Sequence, residues 1–376
     1  MKAGLLGRKL GHSLSPQIHR LFGDYEYRLY ECEPEDVASF LRGTDCDFLN
    51  VTIPYKKTAA EVCDELSPLA AKLGNVNFVC RRAGRLFGDN TDAYGFARLL
   101  DSSKIDPSGR VCSVLGAGGA AETVRAVLEE KGAERVSFVR RGEEPPSDAT
   151  LIVNATPVGM YPDTDGVRID IARFPSCEAV VDLVYNPSPT RLVREARAAG
   201  TVAADGLVML VAQAYRAYRL AKPDGDEDGN LILYGPPASG KSTFGRVVAA
   251  AMGRPFVDLD DEIVRREGCA IAEIFRARGE AAFRAIEAET LGRVLSERGR
   301  VVALGGGALL DESSRRLAEA SGRVVLLACD ERTLLARARA SSARPLLAED
   351  PVRRLSSLLE ARRAHYASFP RSIRLV

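Results

Sequence analysis

Short apolar runs alternate with longer amphipathic stretches from one end of the chain to the other. "DFLNV", "VCSVLG", "RVSFV", "LILYG" and "VVALGG" are brief segments rich in β-branched and aliphatic residues, closed by turn formers or polar residues. Runs so short, with so little polar alternation, predict strands covered on both faces. The stretches between them, such as "STFGRVVAAAMG", "EAAFRAIEAETL" and "GLVMLVAQAYRAYRLA", predict helices with one buried face. Strand–helix alternation of this kind predicts α/β architecture with parallel sheets. The pattern fails at "KPDGDEDGN" (222–230), which has turn formers and acids but no apolar anchor, so the main boundary is expected there. A weaker one falls at "DSSKIDPSGR" (101–110). The expected partition is a first domain 1–100, a second 101–204, a returning helix 205–222, a linker 223–229 and a last domain 230–376.

The strand "LILYG" enters a helix through Gly235, Gly240, Lys241 and Ser242, which fit G-x-x-x-x-G-K-[ST]. Glycines in that turn let backbone N–H groups wrap phosphate oxygens; the lysine reaches the terminal phosphates and the hydroxyl can ligate Mg²⁺. ATP or GTP is the expected ligand. Downstream, "FVDLDDEIV" sets Asp258 and Asp260 at alternate positions, a helix carries Arg284, and a buried strand runs into Gly305–Gly307. Through "GPPASGKST", "DLDDEI", "GEAAFRAIE", "LGGGA" and "ARPLL", residues 230–376 resemble shikimate kinase. The resemblance implies a P-loop kinase domain with a parallel sheet. It implies ATP at Gly235, Ser239, Gly240, Lys241, Ser242 and Thr243, with Arg337 on the adenine and Arg344 closing from a lid. Mg²⁺ would sit between Ser242 and Asp258. Arg284 and Arg362 would clamp the shikimate carboxylate, with Arg363 as a rival to Arg362. Asp260 and Gly306 would take its hydroxyls, and Asp260 would also act as base. The closing "SIRLV" reads as a strand.

"VCSVLGAGGAAETVRAVLEEKG" passes from strand to helix through Gly116, Gly118 and Gly119, with Ala121 at the third fingerprint position. This turn sets a dinucleotide pyrophosphate on a helix N-terminus. The next strand ends in Arg140 and Arg141, cations that suit the 2′-phosphate of NADP better than the free ribose of NAD. Ahead of it, Ser13, Ser15, Thr52, Lys56, Asn77 and Asp92 gather hydroxyl, ammonium, amide and carboxylate groups, which fit a polyhydroxylated acid. "GHSLSP", "NVTIPYK", "GDNTDAYG", "GAGGA", "VNATPVGM", "VDLVYNP" and "DGLVMLVAQA" make residues 1–222 resemble shikimate dehydrogenase. The resemblance implies an α/β substrate domain followed by a Rossmann NADP(H) domain, with Lys56 and Asp92 as the catalytic pair. Ser13, Ser15, Thr52, Asn77, Tyr185 and Gln213 would hold substrate. Gly116, Ala117, Gly118, Gly119, Ala120, Arg140, Thr156, Leu183 and Gly206 would line the cofactor groove. Taken singly, an aspartate ahead of "AYGF" reads as a helix cap.

Two departures from that family shape the expectations. Val76-Asn77-Phe78 stands where the family has V-N-T, which sets a ring near the pocket. Only residues 140–150, with Pro145-Pro146, join "RVSFV" to the "NAT" strand, too little for the usual helix and strand. The expected result is a trimmed sheet with one face poorly covered, to be closed by the kinase domain or a second subunit.

Composition narrows the function classes. Across 376 residues, 52 Lys and Arg against 51 Asp and Glu leave no general field to attract nucleic acid or an anionic membrane. The eight cysteines show no C-x-x-C pair, which predicts reduced thiols rather than a metal or disulfide framework. No run is long and apolar enough to span a membrane, and the expected compartment is the cytoplasm. The combined expectation is a bifunctional enzyme that reduces 3-dehydroshikimate to shikimate with NADPH and phosphorylates shikimate with ATP. A catabolic quinate-type dehydrogenase and a non-catalytic shikimate-binding module are the alternatives to the first half. Arg140 weighs against NAD and so against the former; Lys56 and Asp92 weigh against the latter. Monomer and homodimer are both open.

Overall fold

Three sheets organise the residues that the computed structural model describes, which are 1–11, 13–223, 229–340 and 351–374. They fall into two compact units, the first holding nearly all residues up to 223 and the second nearly all from 229 onward.

The first sheet contains β1 (Lys2–Gly7), β2 (Glu26–Glu31), β3 (Phe48–Val51), β4 (Glu65–Leu66), β5 (Phe78–Arg82) and β6 (Arg85–Asp89), in the order β2-β1-β3-β5-β6-β4. Around it lie α1 (Ser15–His19), α2 (Val37–Gly43), α3 (Lys56–Val62) and α4 (Pro68–Leu73). β1 is parallel to β2 and β3, but β5 is antiparallel to β3 and to β6. This sheet is therefore mixed rather than parallel throughout. Ala83 and Gly84, at φ 50° and 81°, form a two-residue hairpin between β5 and β6, whereas a parallel return needs a dozen residues or more.

The second sheet follows α5 (Thr91–Ser102). It contains β7 (Val111–Leu115), β8 (Arg135–Val139), β9 (Leu151–Asn154), β10 (Ala179–Asp182) and β11 (Val202–Asp205), all parallel, in the order β11-β10-β9-β7-β8. Its helices are α6 (Gly119–Glu130), α7 (Arg191–Ala198) and the returning α8 (Leu207–Ala221). The sheet is trimmed at β8, as residues 140–150 imply. The face expected to lie poorly covered does not. The connection from β9 to β10 carries Ile169, Ile171, Phe174 and Cys177, which pack with Val139, Ile152, Val180, Leu192 and Val193 in one buried cluster. An irregular segment with apolar residues two and three apart does the covering that a regular helix would have done.

α8 joins the two sheets of this unit. Its Ala217 shares a core with Phe48, Phe78 and Phe87 of the first sheet, and its Met209 shares another with Phe96, Leu99 and Val181. The Phe78 ring is thus buried in the first core, 5.8 Å from the Phe48 ring, and not near the pocket where the sequence pattern set it. Strand alternation decides this, because Asn77 and Phe78 must face opposite ways.

The second unit has one parallel sheet of β12 (Asn230–Tyr234), β13 (Phe256–Asp258), β14 (Val301–Ala303), β15 (Gly322–Ala328) and β16 (Ser372–Arg374), in the order β13-β14-β12-β15-β16. α9 (Lys241–Met252), α10 (Leu259–Glu267), α11 (Ile271–Ser296), α12 (Glu312–Ser321), α13 (Glu331–Ala340) and α14 (Pro351–Ala367) complete it. α11 is broken at Gly279 (φ 78°, ψ 175°), so Arg284 rides on its second half. Among the described residues no helix is long and apolar enough to cross a membrane.

Candidate active sites

In the first unit the site forms where β1 and β3, neighbours in the sheet, end at their carboxyl edges. Ser13 and Ser15 follow β1, with Ser13 Oγ accepting the Ser15 N–H at 3.2 Å; Thr52 follows β3. Lys56 opens α3, and Asp92 lies in the first turn of α5. Lys56 Nζ donates to Asp92 Oδ2 at 2.5 Å, with side chains 16% and 12% exposed. Asp92 is free for this pairing because Asn90 caps α5, its Oδ1 accepting the Ala93 N–H at 3.2 Å. Asn77 Oδ1 accepts the Thr91 N–H at 2.6 Å and the Thr91 hydroxyl at 3.2 Å, and that hydroxyl is 3.5 Å from Gln213 Oε1. The structure thus brings Asn77 and Gln213 together through Thr91, a residue the motifs did not single out. An ammonium has three donors, so Lys56 can hold Asp92 and still present N–H groups to a ligand oxygen.

The second sheet presents the residues expected to line a dinucleotide groove at one edge. Gly116 follows β7, Arg140 follows β8, Thr156 lies two residues beyond β9, Leu183 follows β10 and Gly206 follows β11. Gly116 has φ 110°, a conformation for which glycine is suited. Gly118 is the N-cap of α6 without a side-chain cap, Gly119 and Ala120 begin the helix, and Ala117 lies between Gly116 and the cap. That terminus therefore offers backbone donors to an anion. A methyl group on Gly206 would stand 2.1 Å from the Leu183 carbonyl oxygen, so these two positions are in direct backbone contact. Arg140 is exposed, with Glu143 Oε2 accepting its N–H at 2.7 Å. Behind this edge lies a buried polar chain that the sequence did not announce. Thr156 Oγ donates to Asn154 Oδ1 (2.6 Å), Asn154 Nδ2 to Asp182 Oδ1 (2.9 Å), and Thr190 Oγ to Asp182 Oδ2 (2.7 Å). Burial raises the Asp182 carboxyl above its ordinary range. Tyr185, in the following loop, has its hydroxyl likewise pushed up by burial.

In the second unit the phosphate loop leaves β12 at the centre of the sheet. Gly235 (φ 140°), Ala238 (φ 66°) and Gly240 (φ 92°) bend the backbone into a cradle, and Ser242 and Thr243 follow Lys241 into the first turn of α9. Lys241 Nζ rests on the Gly235 and Pro236 carbonyl oxygens, each at 2.8 Å. The Ser239 hydroxyl is buried with no hydrogen-bond partner among the described residues, an opening that a phosphate oxygen would fill. Arg337 Nη1 lies 3.4 Å from the Ala238 and Ser239 carbonyl oxygens, which places it over the loop. Arg344 lies outside the described residues.

The Gly305–Gly307 turn is pressed among charged groups. Methyls added at Gly305 would stand 3.0 Å from Glu287 Oε1 and 3.1 Å from Asp260 Oδ1, and one at Gly307 would stand 2.7 Å from Arg284 Nη1. Arg362 Nη1 donates to the Gly306 carbonyl oxygen at 2.9 Å, whereas Arg363 is exposed and paired with Glu360. Arg362, not its neighbour, thus faces the turn with Arg284. Asp258 caps α10, its Oδ1 accepting the Asp260 N–H at 3.0 Å. Burial, with the charges of Asp258 and Glu287, pushes the Asp260 carboxyl up to about 6, against the pull of Lys241. Glu287 closes the "GEAAFRAIE" motif but was given no role from it, yet it is buried and accepts Arg284 Nη1 at 2.6 Å. The available signal was its spacing, one helical turn after Arg284.

Comparison with known proteins follows the same division. Residues 5–79 match the family model of the shikimate dehydrogenase substrate binding domain, and residues 237–374 match that of shikimate kinase. A shikimate dehydrogenase (NADP(+)) of Clostridium perfringens is 34% identical over 242 residues, covering 57% of this chain and 89% of that protein. One of Methanopyrus kandleri is 37% identical over 256 residues, covering 58% and 88%. Shikimate 5-dehydrogenase of Thermus thermophilus, solved in complex with NADP(H) and shikimate, has a TM-score of 0.55 at 34% identity, over 60% of this chain and 94% of that one. A chorismate mutase/shikimate 5-dehydrogenase fusion protein from Clostridium acetobutylicum has a TM-score of 0.56 at 33% identity, over 60% and 92%.

Proposed function

Since the chain belongs to the shikimate dehydrogenase family and also carries a shikimate kinase domain, we propose that it performs two successive reactions. The first unit reduces 3-dehydroshikimate to shikimate; the second phosphorylates shikimate to shikimate 3-phosphate. The oxygen that is a ketone in the first substrate is the hydroxyl phosphorylated in the second.

The buried Lys56–Asp92 pair carries the first half. Asp92 orients the Lys56 ammonium, which hydrogen-bonds the ketone oxygen, stabilises the alkoxide as it forms and gives it a proton. Ser13, Ser15, Thr52, Asn77, Tyr185 and Gln213 hold the acid and its hydroxyls. NADPH, when bound along Gly116–Ala120, Thr156, Leu183 and Gly206, supplies the hydride. The exposed Arg140 cation supports NADP(H) over NAD.

In the second unit Arg284 and Arg362 clamp the carboxylate, a bidentate task suited to guanidinium. The 3-hydroxyl oxygen attacks the γ-phosphorus of ATP, its proton passes to Asp260, and the bond to ADP breaks. Lys241, Ser239 and the loop N–H groups neutralise the phosphates, with Arg337 above the loop, and the family resemblance adds the charge of Arg344. Mg²⁺ neutralises phosphate charge when bound. Ser242 and Asp258 supply hard oxygen donors for it, and an ion that keeps its waters and phosphates needs few protein ligands.

A coupled assay with 3-dehydroshikimate, NADPH, ATP and Mg²⁺ tests both halves. The wild type should form one ADP per NADPH consumed at steady state. Lys56→Ala should stop both signals, with ADP formation returning on addition of shikimate. Lys241→Ala should keep NADPH consumption and lose ADP formation. A wild type that turns over neither substrate would refute the proposal.

A further inference from the structure

The carbonyl oxygen of Gly306 is overcommitted. It receives the Tyr366 hydroxyl at 2.8 Å, Arg362 Nη1 at 2.9 Å and the Tyr234 hydroxyl at 3.2 Å. A carbonyl oxygen has two lone pairs, so three donors cannot all be held at full strength. Arg362 is the donor with a better acceptor in prospect, because a carboxylate binds guanidinium more strongly than an amide carbonyl does. When Arg362 turns to the acid, the two tyrosines remain, and two donors are what the oxygen can satisfy.

Tyr234 is fully buried, and its hydroxyl lies 3.1 Å from His365 Nε2. With its own proton on Gly306, the Tyr234 oxygen can accept one from the imidazole. Tyr234 is also the last residue of β12, directly before Gly235 of the phosphate loop. The turn it holds lies against that loop: a methyl on Gly306 would stand 2.9 Å from Pro237 Cδ and 3.2 Å from the Gly235 carbonyl oxygen.

We infer that Tyr234, backed by His365 and joined by Tyr366, is a positioning residue of the kinase site. It satisfies the Gly306 carbonyl so that Arg362 can leave for the substrate carboxylate, and it anchors the acid-binding turn to the strand that carries the phosphate loop. The inference rests on the kinase role proposed above.

The test uses the full chain and separates acid from nucleotide. Tyr234→Phe leaves Arg362 as a needed donor on Gly306, so the KM for shikimate should rise about five- to tenfold, the worth of one hydrogen bond. The KM for ATP and kcat should stay within about twofold, as expected for an acid-side effect. His365→Ala should give a smaller rise and His365→Gln, which keeps a donor, should recover it. Adding His365→Ala to Tyr234→Phe should change nothing further, because the two act in one chain. Tyr366→Phe, which removes a hydroxyl from the same carbonyl, should repeat the acid-specific rise and serves if Tyr234→Phe does not fold. An unchanged shikimate KM, parallel rises in both KM values, or additive single effects would overturn the inference. A wild type without shikimate phosphorylation would instead show that the kinase role itself is wrong.

Discussion

At the scale of single residues, polar neighbours decide which functional groups are available. Asn90 takes the capping role at α5 and leaves Asp92 to Lys56. Asn90→Ala should cost about 1 kcal/mol in denaturant unfolding and lower the dehydrogenase rate, with the kinase rate unchanged. Glu287 holds Arg284 from a buried position. Glu287→Gln should raise the shikimate KM of the kinase reaction about tenfold with little effect on the ATP KM, consistent with loss of a charge-assisted bond. His19 gives a pH prediction. Burial lowers its pKa to about 3 from an ordinary 6.5, so between those values the unfolded chain binds a proton that the folded one refuses. Stability from this group is therefore present above pH 6.5 and lost as pH falls toward 3. His19→Gln should flatten the acid limb of a stability–pH curve, by up to about 1.4 kcal/mol per pH unit in that window. An unchanged slope would show that His19 is not buried neutral.

Among elements, the instructive cases are those in which local pattern and final structure part. The short link 140–150 was legible as the loss of a helix and strand, because adjacent prolines and length are local facts. The replacement cover was not legible, because Ile169, Ile171, Phe174 and Cys177 follow no regular period and meet their partners only across the sheet. Phe174→Ala should cost about 3 kcal/mol in urea unfolding of the first unit, a large effect for a residue in an irregular connection. The Ala83–Gly84 hairpin teaches the same lesson, since apolar runs reveal strands but not their direction. Phosphate loop, dinucleotide turn and GGG turn were legible because glycine spacing carries backbone geometry directly into sequence.

For the whole molecule, the question is whether joining two activities changes either one. One polypeptide carries both in a one-to-one ratio, and the expectation is that shikimate released by the first unit equilibrates with the solution before the second takes it up. An equimolar mixture of the Lys56→Ala and Lys241→Ala proteins, each at the wild-type concentration, should therefore match the wild-type steady rate of ADP formation from 3-dehydroshikimate. A clearly lower rate would mean that shikimate passes between the units without equilibrating in solution. The sequence by itself determined the two glycine-rich turns, the split near residue 223 and the kinds of side chain gathered at the proposed sites, because these depend on residue type at short spacing. Only the tertiary structure decided that Arg362 rather than Arg363 meets the GGG turn, that Phe78 lies in the core and that Tyr234 reaches Gly306. Such choices depend on which face of a helix or strand looks inward, and that is settled by packing between segments far apart in the chain.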